Sequence, residues 1–188
     1  LAIEDTRFYE HGGVDYKGML RAAMANLGNF KSQGASTITM QVARNFFLTR
    51  EKTLTRKLRE VLLAWKIEAN LTKDEILELY VNQIFLGQRA YGFAAAAQIY
   101  FGKPLKDLSP AEAAMLAGLP KAPSAFNPVT NPKRAKIRQE YVLRRMHDLR
   151  YLSDAEHEQA RNAPLAIRQG VRESVPVRAA FVAEMARQ

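Results

Sequence analysis

The sequence predicts an all-α protein. Capping boxes recur along the chain, apolar residues return at three- and four-residue spacing, and alternating β-branched runs that would mark strands are nearly absent. Each helix has its own local reason. Residues 17–30 place Leu20, Ala23, Met24 and Leu27 on one helical face. Next comes Gln33-Gly34-Ala35-Ser36-Thr37, where Gly34 suits a turn and Ser36 suits an N-cap for a helix carrying Arg44. Thr53 is the expected N-cap of a helix running through Trp65. On it Leu54, Leu58, Val61, Leu62 and Trp65 share one face, and Lys52, Arg56, Arg59 and Glu60 fall on the other face or its approach.

Thr72-Lys73-Asp74-Glu75 is a capping box, followed by Ile76, Leu77, Leu79, Tyr80, Ile84 and Phe85, with Gly87 as the expected stop. Ser109-Pro110-Ala111-Glu112 is a second box with proline at the first helical position, and its helix should end near Gly118. The segment Pro120 to Pro132 holds four prolines and reads as an ordered loop bracing two helices. Ser153-Asp154-Ala155-Glu156 is a third box.

The bulk properties narrow the class. A chain of 188 residues suits one domain with a self-sufficient core. A net charge of +9 favours polyanions: nucleic acid, anionic lipid or a phosphorylated substrate. The absence of cysteine excludes disulfides and thiolate metal sites. The richest apolar stretch, Ala90 to Phe101, is too short to span a bilayer. The chain opens on Leu1 inside a candidate catalytic segment, so it reads as an excised piece.

Three constellations carry chemistry. Cations at Arg56 and Arg59, with Lys52 and Arg44 before them, fit either a solvated helix face or a phosphate-binding stripe, for which arginine's planar fork is suited. Glu4-Asp5, ahead of His11 and Gly12-Gly13, fits either a solvated pair or a carboxylate general base. The helix start after Gly34 is either an ordinary cap or an anion site.

Taken in order, these segments resemble glycosyltransferase family 51, the peptidoglycan glycosyltransferase domains of class A, 1A-type penicillin-binding proteins. Five motifs carry the resemblance: Glu4-Asp5-x-x-Phe8-x-x-His11-x-Gly13; Gly34-Ala35-Ser36-Thr37-Ile38-Thr39-Met40-Gln41; Arg56-Lys57-x-x-Glu60; Lys73-x-x-Ile76-Leu77-Glu78-x-Tyr80-Val81-Asn82; and Arg138-Gln139-x-x-Val142-Leu143. Two positions depart from the family pattern: Met40 stands where it has Gln, and Gln139 where it has a second Arg. The resemblance implies a lysozyme-like, two-lobed helical domain with a central cleft over residues 1–188, with 164–188 as the start of a connection to a transpeptidase domain.

The implied reaction polymerises lipid II into β-1,4-linked glycan, with inversion and release of undecaprenyl diphosphate. By this match Glu4 is the base and Glu60 the second catalytic carboxylate. Asp5, Ser36, Thr37, Gln41, Arg44, Lys52, Arg56, Lys57, Arg59 and Asn82 are expected to bind substrate. No covalent cofactor is expected. Glu60 either orients the cations or holds a divalent ion, Mg2+ or Mn2+, against the diphosphate. The implied partners are lipid II, the growing glycan on its lipid diphosphate, a membrane surface met by segment 17–33, and the transpeptidase domain, at the periplasmic face of a bacterial inner membrane. No nucleic acid is expected. Two other readings stay open: a lytic enzyme that cuts peptidoglycan, and a basic helical nucleic-acid binder.

Overall fold

A computed structural model describes residues 1–20, 36–48 and 53–168. Among them the protein is helical. A 3₁₀ turn at Phe8–Glu10 and a helical turn at 16–20 precede α1 (Ile38–Phe47), α2 (Leu54–Glu68), α3 (Lys73–Gln83) and α4 (Phe93–Phe101). A second 3₁₀ turn at Leu105–Asp107 leads to α5 (Pro110–Ala117), α6 (Pro132–Asp148) and α7 (Asp154–Asn162). Among the described residues the only β pairing is an isolated bridge, Phe85 to Tyr91. The expected helix over 17–30 is helical through residue 20, and the rest of it lies outside the described residues.

Local chemistry sets most of the boundaries. Thr53 caps α2, and Thr72, Ser109 and Ser153 each form complete capping boxes, with Pro110 at the first turn of α5. Helix α4 has no side-chain cap. It starts after Gly92, whose φ is +82°, and ends on Gly102 in the left-handed region. A Cβ on Gly92 would come within 2.5 Å of the Asn82 carbonyl oxygen, so only glycine lets the chain turn this close to α3.

Two boundaries differ from expectation. The cap of α1 is Thr37, not Ser36: its hydroxyl accepts from Met40 N and donates to the Gly13 carbonyl. Helix α3 stops at Gln83, with Ile84 already extended, and Gly87 sits beyond it in the turn between Phe85 and Tyr91.

The main core gathers Phe8, Ile38, Val42, Ile76, Tyr80, Leu86, Tyr100, Leu116 and Leu119. A second core, with Ala111, Ala114, Val142, Leu143 and Leu152, joins α5, α6 and α7. A third, small one packs Val14 and Met40 against Ala64 of α2. Helix α1 thus packs on α2 and α3, while α6 packs on α5 and α7. The amino-terminal segment runs between these two groups.

The apolar face of α2 is a surprise. Leu54, Leu58, Leu62 and Trp65 are 91%, 61%, 52% and 44% exposed, whereas Glu60 and Ala64 are buried. The helix turns its carboxylate inward and its leucines outward, and Phe46 and Phe47 at the end of α1 are also exposed.

Candidate active site

The first fifteen residues are fastened by Asp5. Its buried carboxylate accepts from Ile38 N at 3.0 Å, in the first turn of α1, and meets His11 Nε2 at 2.9 and 3.0 Å. A carboxylate on the free N–H groups of a helix start is a favourable pairing. Gly13 completes the anchor. Its φ is +85°, a Cβ there would lie 3.1 Å from the Ala64 carbonyl oxygen, and its own carbonyl receives the Thr37 hydroxyl at 2.5 Å.

This anchoring leaves Glu4 on the wall of a cleft of about 590 Å³. Gln41 Nε2 of α1 donates to the Glu4 carboxylate at 3.1 Å. Arg138 of α6 stands 3.9 Å from its other oxygen, and the Glu4 side chain keeps 17% of its surface exposed. The lining brings Glu4, Asp5, Ser36, Thr37, Gln41 and Arg44 together with Lys121, Arg138, Tyr141 and Arg145. A partly hydrated carboxylate among cations can accept a proton, and those cations can receive an anion in the same space.

Glu60 is not in the lining of this cleft but is joined to it through Lys57 and Ser36. Its carboxylate is 1% exposed and held by two cations of its own helix, Arg56 and Lys57, the latter at 3.0 Å. Lys57 Nζ also donates to Ser36 Oγ at 2.7 Å, and Ser36 lines the cleft. Ser36 is free for this contact because Thr37 does the capping. Glu60 therefore tethers the cations of α2 to the helix start that borders the substrate space. Each of its oxygens is engaged by one of these cations. Among the described residues no group of three or more His, Cys, Asp or Glu side chains is placed to hold a metal.

Of the substrate-binding residues expected from the sequence, Asp5, Ser36, Thr37, Gln41 and Arg44 line the cleft with Glu4, and Lys57 reaches it through Ser36. Arg56 is part-buried against Glu60. Arg59 and Asn82 are exposed and stand outside the cleft lining; the Asn82 backbone packs against Gly92. Lys52 lies outside the described residues.

Three lining residues on α6 escaped the sequence reading. Arg138, Tyr141 and Arg145 recur at three- and four-residue spacing, which puts them on one face of α6. That spacing was the available signal. The Arg138 guanidinium lies 4.9 Å from the Tyr141 ring centre and 5.6 Å from that of Phe126. Its neighbour Gln139 is fully buried, donates to the Ala111 carbonyl at 2.7 Å and accepts from Lys136 at 3.0 Å. Met40, the other departure, is fully buried with Val14 and Ala64.

Comparison with known proteins fits this geometry. The transglycosylase family profile matches residues 1–147. A Cupriavidus necator protein, named provisionally as a transglycosylase, is 64% identical over 168 residues, which covers 89% of this chain and 73% of that protein. Penicillin-binding protein 1A of Neisseria meningitidis is 59% identical over 190 residues, covering all of this chain and 24% of that protein. The crystal structure of penicillin-binding protein 1A from Haemophilus influenzae superposes with a TM-score of 0.53 at 37% identity, covering 80% of this chain and 19% of that one.

Proposed function

We propose a reaction on one premise: this chain belongs to the transglycosylase family. Its fold is accordingly the all-α, lysozyme-like fold, and its activity is peptidoglycan glycosyl transfer for cell wall synthesis. The finer reading is our own. The substrate is lipid II, and the product is a β-1,4-linked glycan that stays on its lipid diphosphate.

In this reading the 4-hydroxyl of an acceptor sugar attacks the anomeric carbon of the growing chain. The new bond is C–O, and the bond broken joins that carbon to the diphosphate oxygen, which keeps the electron pair. The hydroxyl proton passes to Glu4 as attack proceeds, because a sugar hydroxyl is a weak nucleophile at neutral pH. Gln41 and Arg138 keep the carboxylate aimed. The departing diphosphate is met by cations fixed in advance, which need no reorganisation at the moment of bond breaking. Arg44 supplies charge at the cleft itself, and Lys57 and Arg56 are held ready by Glu60. Glu60 thus orients cations, and any Mg2+ or Mn2+ would arrive as a counter-ion of the diphosphate.

The observation that carries this reading is one cleft bordered by both a part-exposed carboxylate and a set of cations. A lytic enzyme would need an acid to protonate its leaving oxygen and would gain little from cations at that point. A nucleic-acid binder would display its charge on an open surface and not around an acid in a cleft.

The chain spans about a quarter of the length of the penicillin-binding protein 1A relatives. A transpeptidase partner domain, with 164–188 as the start of the connection to it, is part of the proposal. So is placement at the periplasmic face of the inner membrane. Among the described residues no helix is long and apolar enough to cross a membrane. The exposed stripe of Leu54, Leu58, Leu62 and Trp65, with Phe46, Phe47 and Leu20, instead supports contact with a lipid surface. Most of the membrane segment expected over 17–33 lies outside the described residues.

The test is incubation with lipid II. The expected result is longer glycan and released undecaprenyl diphosphate, both blocked by moenomycin. Shortening of preformed glycan with no new polymer would overturn the reading.

A further inference from the structure

A pyranose carries hydroxyls around its rim and C–H groups on its faces, so a flat apolar ring set among polar groups is a surface that suits it. Tyr141 is such a ring: it lines the cleft and is 40% exposed. The Arg138 guanidinium, one turn earlier on α6, lies 4.9 Å from the ring centre, within reach of a cation–π contact. Arg138 is itself firmly seated. Its side chain is 11% exposed and lies 5.6 Å from the ring centre of Phe126. Its stem passes close to Gly118, where a Cβ would come within 2.9 Å of Arg138 Cγ. The turn of α6 about its own axis is pinned by buried Gln139, which donates to the Ala111 carbonyl of α5 at 2.7 Å. A ring held this way before substrate arrives loses little freedom on binding.

The same arginine joins the ring to the base. Arg138 Nη2 stands 3.9 Å from Glu4 Oε1, so Glu4 and the Tyr141 ring are neighbours of one guanidinium. In an inverting displacement the base meets only the incoming hydroxyl, and that hydroxyl approaches opposite the leaving group. The cations assigned to the leaving diphosphate are Arg44 of α1 and Lys57 of α2, which reaches the cleft through Ser36; α1 and α2 pack on each other. Arg138 and Tyr141 stand on α6, which packs on α5 and α7. The ring thus belongs with the base, and the base belongs with the acceptor.

We propose that Tyr141 binds the acceptor: its ring stacks on a face of the acceptor's terminal pyranose and sets the 4-hydroxyl of that sugar beside Glu4. Arg138 is the positioning residue that keeps ring and base in a fixed relation. Tyr141 transfers no proton, and its flat face does the work, so another aromatic ring serves in its place. The proposal rests on the reading of the reaction given above and adds to it the surface that receives the acceptor sugar.

The experiment varies the two substrates separately. The donor is a short glycan primer on lipid diphosphate, blocked at its terminal 4-hydroxyl, and the acceptor is lipid II; addition of one unit to the primer is measured. Tyr141→Leu should raise KM for lipid II about tenfold at nearly unchanged kcat, the signature of a contact made alike in ground and transition states. KM for the primer should stay within about twofold, because the donor does not use this surface. Tyr141→Phe and Tyr141→Trp should keep the lipid II KM close to that of the unaltered chain, and all three variants should melt with it. An unchanged lipid II KM in Tyr141→Leu would overturn the proposal, and so would an equal rise in both KM values. Tyr141→Phe as impaired as Tyr141→Leu would overturn it by assigning the effect to the hydroxyl. A lowered melting temperature with both KM values altered would make the ring a packing element instead. Glu4→Gln is measured in parallel: if it keeps full turnover, the reading of the base fails and the proposal with it. If Glu4→Gln is inactive while Tyr141→Leu is normal, only the role of Tyr141 falls.

Discussion

Replacing Glu60 by glutamine keeps the shape of the side chain and deletes its charge. The carboxylate is 1% exposed and holds Arg56 and Lys57, whose side chains are 18% and 38% exposed. Removing one partner of a buried ion pair typically costs about 3–5 kcal/mol, because a charge is left without compensation. Lys57 can turn toward water and be screened there, which reduces that penalty, so about 2–4 kcal/mol is the expected loss. For a domain of this size each kcal/mol moves the melting temperature by roughly 2–4 °C, so Glu60→Gln should melt about 4–16 °C lower. The same change loosens Lys57 from Ser36 and lets the cations drift from the cleft. Polymerisation should therefore fall by a hundredfold or more at a temperature where the variant is still folded, on the order of the loss seen when a preorganised electrostatic group is removed. Scanning calorimetry and a lipid II assay on one preparation measure both effects. A melting shift under about 2 °C with near-normal turnover would refute the claim that Glu60 organises these cations.

Two further outcomes follow from the same structure. Gln139→Met keeps volume but leaves the Ala111 carbonyl without its donor, so urea unfolding should show a loss of about 1–3 kcal/mol, with the glycan produced by the folded fraction unchanged in length. The capping-box carboxyls Glu75 and Glu156 lie below their ordinary value of 4.5, first because the backbone N–H groups of Thr72 and Ser153 donate to the ionised form. The unfolded chain then binds more protons than the folded one in this range. Their stabilisation is complete above about pH 4.5 and is lost as pH falls through the lower, folded values. Melting measured against pH should fall more gently on the acid side for the double variant Glu75→Gln, Glu156→Gln.

What was legible in the sequence was what local chemistry decides. Thr72, Ser109 and Ser153 cap their helices because the partner of each cap lies three residues on, within the same turn. What was hidden depended on distant segments. Ser36 and Thr37 are both competent caps, and the choice between them is made by the Gly13 carbonyl, which takes the Thr37 hydroxyl, and by Lys57, which takes Ser36. The leucine stripe of α2 has the periodicity of a core-facing surface, yet the neighbours Val14 and Met40 pack on Ala64 and leave the leucines outside. Glu4 was singled out through its motif, and it lines the cleft. Its neighbours were less so: Gln41 is 37 positions away, and Arg138 was not among the residues expected to bind substrate.

The most direct test is single-turnover glycan extension by Glu4→Gln with lipid II. Glutamine can still accept the hydrogen bond from Gln41 but cannot hold the acceptor's proton. Extension should fall by about 10²–10⁴-fold, the usual share of a general base, while lipid II affinity stays within about threefold. Extension at the unaltered rate would contradict the account, because proton removal at the cleft wall would then belong to another group.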